Sequence, residues 1–336
     1  MKILAPHCGA AAESTSGGEV YERELLSRMS RKVELRLVHA LRGREFAPSI
    51  FAPVRYVTGV HWPRGLAWWA WPFAARTLAW AIREEKPDLL RAHSLRSLMP
   101  VCVLARKLAG RPDLPIVAHH HHLDGGPLTA LDRWAVAHAD RVVVGSRFAH
   151  KQLVVSGFRT GHVRVVPYGV DAELFTPRDP SQARLTPGFV VAVAGKARKG
   201  HDRLMRLWPR VEARVPGAGW VALRGQIPEI NKAELLRHAA AFVTLSRLEG
   251  FGLAVAEAMA SGLPVVALRD SGALPELLGD TALYADTDDE IVDAIVWALT
   301  SGDQRGKAGR ERVVESFTWE RCVAGTLAVY EGMVRR

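Results

Sequence analysis

The chain has 336 residues, of which 48% are apolar and 24% are charged, a balance typical of a globular protein with room for two domains. No apolar run reaches the roughly 18 residues that a membrane-spanning helix needs, and Pro6 interrupts the first apolar run too early for a secretory signal peptide. The net charge of +10 comes from the first half, because residues 1–168 contain 24 Lys and Arg against 13 Asp and Glu, whereas residues 169–336 contain 21 against 22. A basic first half suits an anionic partner, unless it only aids solubility.

In the first half, short apolar runs alternate with amphipathic segments. Strands are predicted over residues 2–5, 33–39, 87–93, 115–118, 141–145 and from 163 on. Helices are predicted over residues 20–29, the tryptophan-rich region before 87, 101–108 and 131–139. Strands that alternate with helices indicate a parallel, doubly wound sheet. Residues 174–187 contain three prolines and are interpreted as a linker.

The second half restarts the same pattern. Strands are predicted over residues 189–194, 220–223, 241–246 and 264–268, and helices up to 215, over 232–240, from 291 on and over 318–334. The loop Gly195–Gly200 resembles a P-loop only faintly, because His201 and Asp202 stand where Lys and Ser/Thr belong. Nucleotide hydrolysis is therefore not expected at this loop. The alternative to a ligand-binding loop is a solvated basic turn.

Two carboxylates eight residues apart, Glu249 and Glu257, stand in an otherwise almost apolar segment that ends at Gly262. The order strand, glycine-rich loop, short helix, glycine and strand predicts one βαβ unit, with Gly250 and Gly252 turning the chain into the helix. Glu249 would lie at the carboxyl edge of the sheet, where a helix N-terminus favours anions. A buried Glu257 needs partners, which a neighbouring loop or the diol of a ligand would supply.

From Glu249 to Ala267 the chain resembles the retaining glycosyltransferases of family 4, whose marker is two Glu separated by seven residues within E-G-F-G-L-x-x-x-E-A-M-A-x-G-x-P-V-V-A. The resemblance implies the GT-B fold, with two doubly wound Rossmann-like α/β domains facing a central cleft. Residues 1–168 would bind the acceptor and residues 169–317 the donor, and the helix within 318–336 would cross back onto the first domain. It implies hexosyl transfer from a nucleotide-diphosphate sugar with retention of configuration and without a metal or cofactor.

The resemblance also implies roles for individual residues. Glu257 would bind the ribose, Glu249 would hold the donor sugar, and Lys199 would stabilise the leaving diphosphate. Several further residues would help to bind the donor: Lys196 or Arg198 at the diphosphate, the helix N-terminus at Phe251, Gly252 and Leu253, and Gln226 and Ile227 near the base. The diphosphate assignment stays open between Lys196 and Arg198, since the arginine position of the family has a shorter spacing here.

In the first half, the resemblance assigns a phosphate or acceptor loop to Gly17 and Gly18, and a histidine near the reacting sugar within residues 119–122. His121 fits that position best, with a neighbour nearly as suitable, and an inert polar loop is the alternative. His93 matches a second histidine of the family. The chain departs from the family between residues 189 and 241, where a helix and a strand are missing, and at Tyr168, which replaces Asn.

Five tryptophans, at positions 62, 68, 69, 71 and 80, alternate with Arg64, Arg76 and Arg83. Trp and Arg on an amphipathic helix suit the headgroup zone of a membrane or a groove for a lipid-linked acceptor, although Trp more often anchors a core. Contact of this region with an anionic membrane is one expectation, and burial of the tryptophans in a core is the other. Nucleic acid is not expected, because no recognition motif accompanies the charge.

The expected function is transfer of a sugar to the hydroxyl of a glycan, lipid or small molecule, as in the synthesis of cell-envelope polysaccharides. The alternatives are a nucleotide-sugar epimerase of the same fold, and a non-catalytic protein that binds anionic surfaces and keeps a vestigial donor site. Cys8, Cys102 and Cys322 lie far apart and show no metal-ligand spacing, which favours a reducing cytoplasm. The inner face of the cell membrane is the expected place for peripheral binding.

Overall fold

Two parallel β-sheets organise the part of the chain that the computed structural model describes. That part comprises residues 1–7, 17–39, 55–56, 71–93, 95–121, 129–157, 160–179, 181, 188–193, 199–223, 227–301 and 303–335. Buried apolar residues form one cluster on one face of the first sheet, a second on one face of the second sheet, and a third that is shared by both halves of the molecule.

Within the described residues the first sheet has the order β3-β2-β1-β4-β5-β6-β7, with every pair parallel. Its strands are β1 (Lys2–His7), β2 (Glu34–His39), β3 (Arg55–Tyr56), β4 (Leu89–Ala92), β5 (Ile116–His120), β6 (Arg141–Val144) and β7 (Val163–Val165). Its helices are α1 (Gly17–Met29), α2 (Trp71–Glu85), α3 (Leu95–Leu108), α4 (Ala130–His138) and α5 (Arg147–Val155). The strand order reverses between β1 and β4, and such a switch point leaves a crevice at the carboxyl ends of the strands.

The second sheet has the order β12-β11-β10-β8-β9 in the described part of the chain, again with parallel pairs. Its strands are β8 (Phe189–Val193), β9 (Gly219–Leu223), β10 (Ala241–Thr244), β11 (Val265–Ala267) and β12 (Leu283–Tyr284). The helices that follow the first sheet are α6 (His201–Arg214), α7 (Glu229–His238), α8 (Leu253–Ala260), α9 (Leu274–Leu278), α10 (Asp288–Ser301), α11 (Asp303–Ser316) and α12 (Trp319–Val334). The predicted pair of doubly wound sheets is confirmed.

Several elements differ from the prediction. Helix α3 begins at Leu95 and not at Val101, because the buried Leu98 and Met99 anchor a first turn that continues through Pro100. Helix α5 was missed, although Ser146 caps it by accepting a hydrogen bond from the Ala149 N–H at 3.1 Å. Strands β3 and β12 were also missed, since two residues are too few for an alternation of polar and apolar side chains.

The chain crosses between the two sheets at two points that lie side by side. The Val170 N–H donates to the Phe317 carbonyl oxygen at 2.9 Å, and Val170 forms a β-bridge with Thr318. Gly169 is needed there, because a Cβ at this position would lie 2.4 Å from the backbone of Trp319. Helix α12 then packs against α1 and β4 of the first sheet. No helix in the described part of the chain combines the length and apolarity needed to cross a membrane.

Candidate active site

Backbone hydrogen bonds to a neighbouring loop hold Glu249 in place. The Glu249 N–H donates to the Ser271 carbonyl oxygen at 3.1 Å, and the Glu249 carbonyl oxygen accepts from the Ala273 N–H at 2.9 Å. Gly252, with φ of 97°, directly precedes α8, and a Cβ there would lie 2.4 Å from Leu274 Cδ2. Gly250 does not adopt a positive φ, so the turn into α8 depends on Gly252. Gly262 ends the helix as predicted, with φ of 73°.

Lys199 forms an ion pair with the Glu249 carboxylate, and both side chains are largely buried. Lys199 precedes Gly200, which has a φ of 71° and is the N-cap residue of α6. Gly200 packs so closely on Leu245 that a Cβ at this position would lie 2.5 Å from Leu245 Cβ. This close packing holds the Lys199 backbone at the carboxyl edge of the second sheet. Lys196 and Arg198, the two candidates for a further cation, lie outside the described residues, as does Gln226.

A cavity of about 260 Å³ lies between the two sheets. Eight of the predicted site residues line it: Gly17, Gly18, His121, Lys199, Glu249, Phe251, Gly252 and Leu253. His120, Tyr168 and the start of α8 contribute further walls. The cavity therefore joins the start of α1 and the end of β5 to the start of α8, so that a ligand in it would touch both halves of the molecule.

Glu257 lies in a second cavity of about 180 Å³, and Leu253 lines both cavities. Glu257 Oε1 accepts a hydrogen bond from Lys232 Nζ at 2.8 Å, and the same ammonium group donates to Glu229 Oε1 at 2.8 Å. Glu257 Oε2 is buried and has no hydrogen-bond partner within the described residues. Burial raises the pKa of Glu257 to about 7, although Lys232 opposes this shift. A buried carboxylate oxygen without a partner is costly, so this geometry favours a ligand with hydroxyl donors.

Among the predicted donor-site residues that the structure describes, Ile227 lies outside the two cavities. Its side chain is partly buried and packs against the shared apolar cluster just before α7. It is not among the residues that line either of the two cavities. A contact from Ile227 to a nucleotide base stays a prediction.

A buried ion pair lies beneath the histidine side of the first cavity. Arg91 in β4 donates to both carboxylate oxygens of Glu22 in α1, and neither side chain is exposed to solvent. His93 Nδ1 lies 2.7 Å from Glu22 Oε1. Burial alone would raise the pKa of Glu22, but Arg91 and His93 lower it well below its usual value. The carboxylate is therefore ionised at neutral pH.

His121 is oriented by two neighbours. Its Nδ1 lies 2.6 Å from the Tyr168 hydroxyl, and its Nε2 lies 3.7 Å from Glu22 Oε1, which is beyond hydrogen-bond distance. Burial lowers the pKa of His121 to about 3, so the ring is neutral at physiological pH. His119 instead hydrogen-bonds to the Tyr330 hydroxyl at 2.7 Å within the core. The structure therefore directs His120 and His121, and not His119, toward the cavity.

Glu22, His93 and His121 place three potential metal-ligand atoms within 4.8 Å of one another. The guanidinium of Arg91 already occupies both oxygens of Glu22, and its charge opposes the approach of a cation. Asp286 and Asp288 have an Asp-x-Asp spacing, but Asp288 accepts from Arg203 and Arg206 and does not line either cavity. A reaction without a metal stays a prediction.

Sequence reasoning missed the residues that support the histidines. Glu22, Arg91 and Tyr330 form a buried polar network in which Arg91 Nε donates to the Tyr330 hydroxyl at 2.9 Å. A signal was present, because Arg91 interrupts the apolar strand Leu89–Ala92, and a charged residue inside a buried strand requires a partner. The pattern could not name its partners, because Glu22 lies 69 positions before Arg91 and Tyr330 lies 239 positions after it.

Two family models together match most of the chain. The model described as Glycosyltransferase Family 4 matches residues 15–174, and the model described as Glycosyl transferases group 1 matches residues 182–301. The chain belongs to family 4 of the glycosyltransferases. The resemblance seen in the sequence is thereby confirmed.

Individual relatives agree with this family. The chain is 31% identical over 207 residues to an MMP alpha-(1->4)-mannosyltransferase of Mycolicibacterium hassiacum, a match that covers 52% of this chain and 49% of the mannosyltransferase. It therefore spans about half the length of that relative. The fold is similar to sucrose-phosphate synthase from Thermosynechococcus elongatus, with a TM-score of 0.78, 18% identity and coverage of 100% and 99% of the two chains. Anabaena HepE in complex with UDP and glucose gives a TM-score of 0.73 with 17% identity over 99% of this chain and all of that one. These neighbours show the GT-B fold of this family 4 chain.

Proposed function

We propose that this chain is a retaining hexosyltransferase that moves a sugar from a nucleotide-diphosphate donor to an acceptor hydroxyl without a metal ion. The observation that carries the proposal is the pair of adjoining cavities, one with Glu249 and Lys199 and the other with the unpartnered Glu257 Oε2. Leu253 lines both, so one elongated ligand could occupy them together. Anabaena HepE, which has the same fold, is described with UDP and glucose, which supports a donor of this class.

The donor would lie with its ribose at Glu257. The two ribose hydroxyls donate hydrogen bonds, which Glu257 Oε2 has the free capacity to accept. The diphosphate would lie at the start of α8, where the helix dipole and Lys199 both favour negative charge. Glu249 would then hold hydroxyls of the sugar, because its carboxylate faces the first cavity beside Lys199.

In the transfer step the bond between the anomeric carbon and the diphosphate oxygen breaks, and the acceptor oxygen forms a bond to the same face of that carbon. The electron pair leaves with the diphosphate, where Lys199 stabilises the developing charge. The proton of the acceptor hydroxyl passes to the departing phosphate oxygen. The neutral His121 ring lines the sugar end of the cavity and would orient the reacting groups by hydrogen bonding.

Thermal unfolding with a panel of UDP, GDP, ADP, CDP and dTDP tests the donor site. A nucleotide at about 100 times its dissociation constant adds roughly 2.7 kcal/mol to the free energy of unfolding. We expect one base to raise the midpoint of unfolding, with EDTA present, and Glu257→Gln to remove the shift. Glu234→Gln on the exposed part of α7 is the matched control. If no nucleotide shifts the midpoint, the donor site is vestigial and the proposal is wrong.

Donor binding should depend on pH through Glu257. Because its pKa is about 7, the carboxylate is mostly protonated at pH 6 and mostly ionised at pH 8, and only the ionised group accepts both ribose hydrogen bonds. The affinity for an intact nucleotide sugar should therefore rise about ten-fold from pH 6 to pH 8. Calorimetric titration measures it, since the diphosphate of such a donor does not itself titrate in this range. A dependence that survives Glu257→Gln would assign the effect to another group.

Donor consumption separates transfer from epimerisation. A transferase releases free nucleoside diphosphate in proportion to the acceptor that is added, whereas an epimerase changes the donor when no acceptor is present. The acceptor class is proposed as a glycan, a lipid-linked sugar or a small molecule, and the reaction is proposed to occur in the cytoplasm.

A further inference from the structure

The outer side of α2 carries two large, exposed apolar side chains. The buried side of the helix supplies Ala74, Ala75, Leu78, Ala79, Ala81 and Ile82 to the core of the first sheet. On the opposite side, Phe73 is 66% exposed and Trp80 is 44% exposed. These two residues are seven positions apart, which places them two turns apart on the same side of a helix.

Helix α3 extends this surface. Arg83 of α2 donates a hydrogen bond to the Leu108 carbonyl oxygen at the end of α3, and the Leu108 side chain is 41% exposed. We call Phe73, Arg76, Trp80, Arg83, Lys107 and Leu108 the α2–α3 face. All six residues are exposed, and three of them are apolar and three are cationic.

The charge around this face has one dominant sign. Arg111 follows α3 and is also exposed. Of the acidic residues of α2, Glu84 is exposed, whereas Glu85 is engaged by Arg36 Nε at 2.8 Å. The first half of the chain as a whole carries an excess of 11 positive charges. An anionic surface is therefore the complementary partner.

We propose that the α2–α3 face docks the protein onto an anionic lipid bilayer. Trp, Phe and Leu flanked by Arg and Lys match the interface between headgroups and acyl chains, where the apolar side chains insert and the cations bind the lipid phosphates. Phe73 lies in the first turn of α2 and Arg83 in its last turn, so the α2–α3 face extends along the whole length of the helix.

Co-sedimentation with large unilamellar vesicles tests the proposal. We expect the protein to bind vesicles that contain about one third phosphatidylglycerol, to bind pure phosphatidylcholine vesicles much more weakly, and to dissociate in high salt. Each cation at the surface contributes about five-fold to the partition coefficient, so Arg76→Gln with Lys107→Gln should lower it about 25-fold. Phe73→Ser with Trp80→Ser should abolish binding.

Matched variants outside the face provide the controls. Arg31→Gln with Lys32→Gln removes two exposed charges after α1, and Trp297→Ser changes a tryptophan of α10 that is 38% exposed. These variants should bind vesicles like the unchanged protein. Equal binding by the α2–α3 face variants, or no binding of the unchanged protein to anionic vesicles, would overturn the proposal. A dimer that Phe73→Ser with Trp80→Ser converts to a monomer would show instead that a second copy covers the face.

The docking proposal does not rest on the proposed enzymatic activity. The face variants should keep the stabilisation by nucleotide, because none of the six residues lines either of the two cavities. Loss of vesicle binding with an intact nucleotide shift, and the reverse in Glu257→Gln, would show that the two sites are separate.

Discussion

Replacement of Glu249 by Gln should lower kcat/KM for sugar transfer by about 10²–10³-fold, the usual effect of removing a group that organises charge in a transition state. The substitution keeps the size of the side chain and the backbone hydrogen bonds to Ser271 and Ala273. It removes the negative charge that holds Lys199 at the mouth of the cavity. The measurement is the rate of donor turnover with a fixed acceptor, monitored as the release of nucleoside diphosphate.

A double-mutant cycle makes this test specific. If Glu249 and Lys199 act as a unit, Lys199→Met with Glu249→Gln should cost little more than either change alone. Glu234→Gln, a Glu of the same domain that pairs with Arg237 and His238 on the surface, should keep full activity. Activity of Glu249→Gln within about three-fold of the unchanged protein would remove Glu249 from the proposed mechanism.

Replacement of Arg91 by Met should lower the free energy of unfolding by about 3–5 kcal/mol, because it leaves the Glu22 carboxylate buried without its counter-ion. Both side chains are fully buried, and Arg91 also donates to the Tyr330 hydroxyl at 2.9 Å. Denaturation by urea, followed by circular dichroism, measures the loss.

Two further variants distinguish the ion pair from simple packing. Tyr330→Phe removes one hydrogen bond and should cost only about 1 kcal/mol. Glu22→Gln combined with Arg91→Met removes both charges and should recover a large part of the stability that Arg91→Met loses. If the double variant is as unstable as Arg91→Met, the loss comes from packing of the Arg91 side chain and the ion pair is not its cause.

The βαβ unit that contains Glu249 and Glu257 was predictable because its signals are local. Gly252 and Gly262 adopt positive φ at the two ends of α8, and the apolar runs before and after it form β10 and β11. The same applies to Lys199, which directly precedes the glycine that caps α6. In each case the residue that makes the structure lies within a few positions of the residue that it supports.

The single strand between β8 and β10 agrees with the departure from the family that the sequence indicates over residues 189–241. Only Gly219–Leu223 forms a strand in the described part of this interval, and it lies at the edge of the second sheet. The start of α3 was predicted wrongly, at Val101, whereas the helix begins at Leu95 and contains Pro100. Burial of Leu95 and Leu98 in the core stabilises a turn that local propensity does not favour.

The sequence by itself determined the family, the alternation of strands and helices and the positions of the two marker carboxylates, since these depend on spacing along the chain. Only the tertiary structure decided that Glu22 pairs with Arg91, that Tyr330 of the last helix completes their network, and that His121 faces the cavity while His119 faces the core. These contacts join residues far apart in the chain. They follow from the order of the strands and the packing of α12 onto α1, which the periodicity of side chains does not specify.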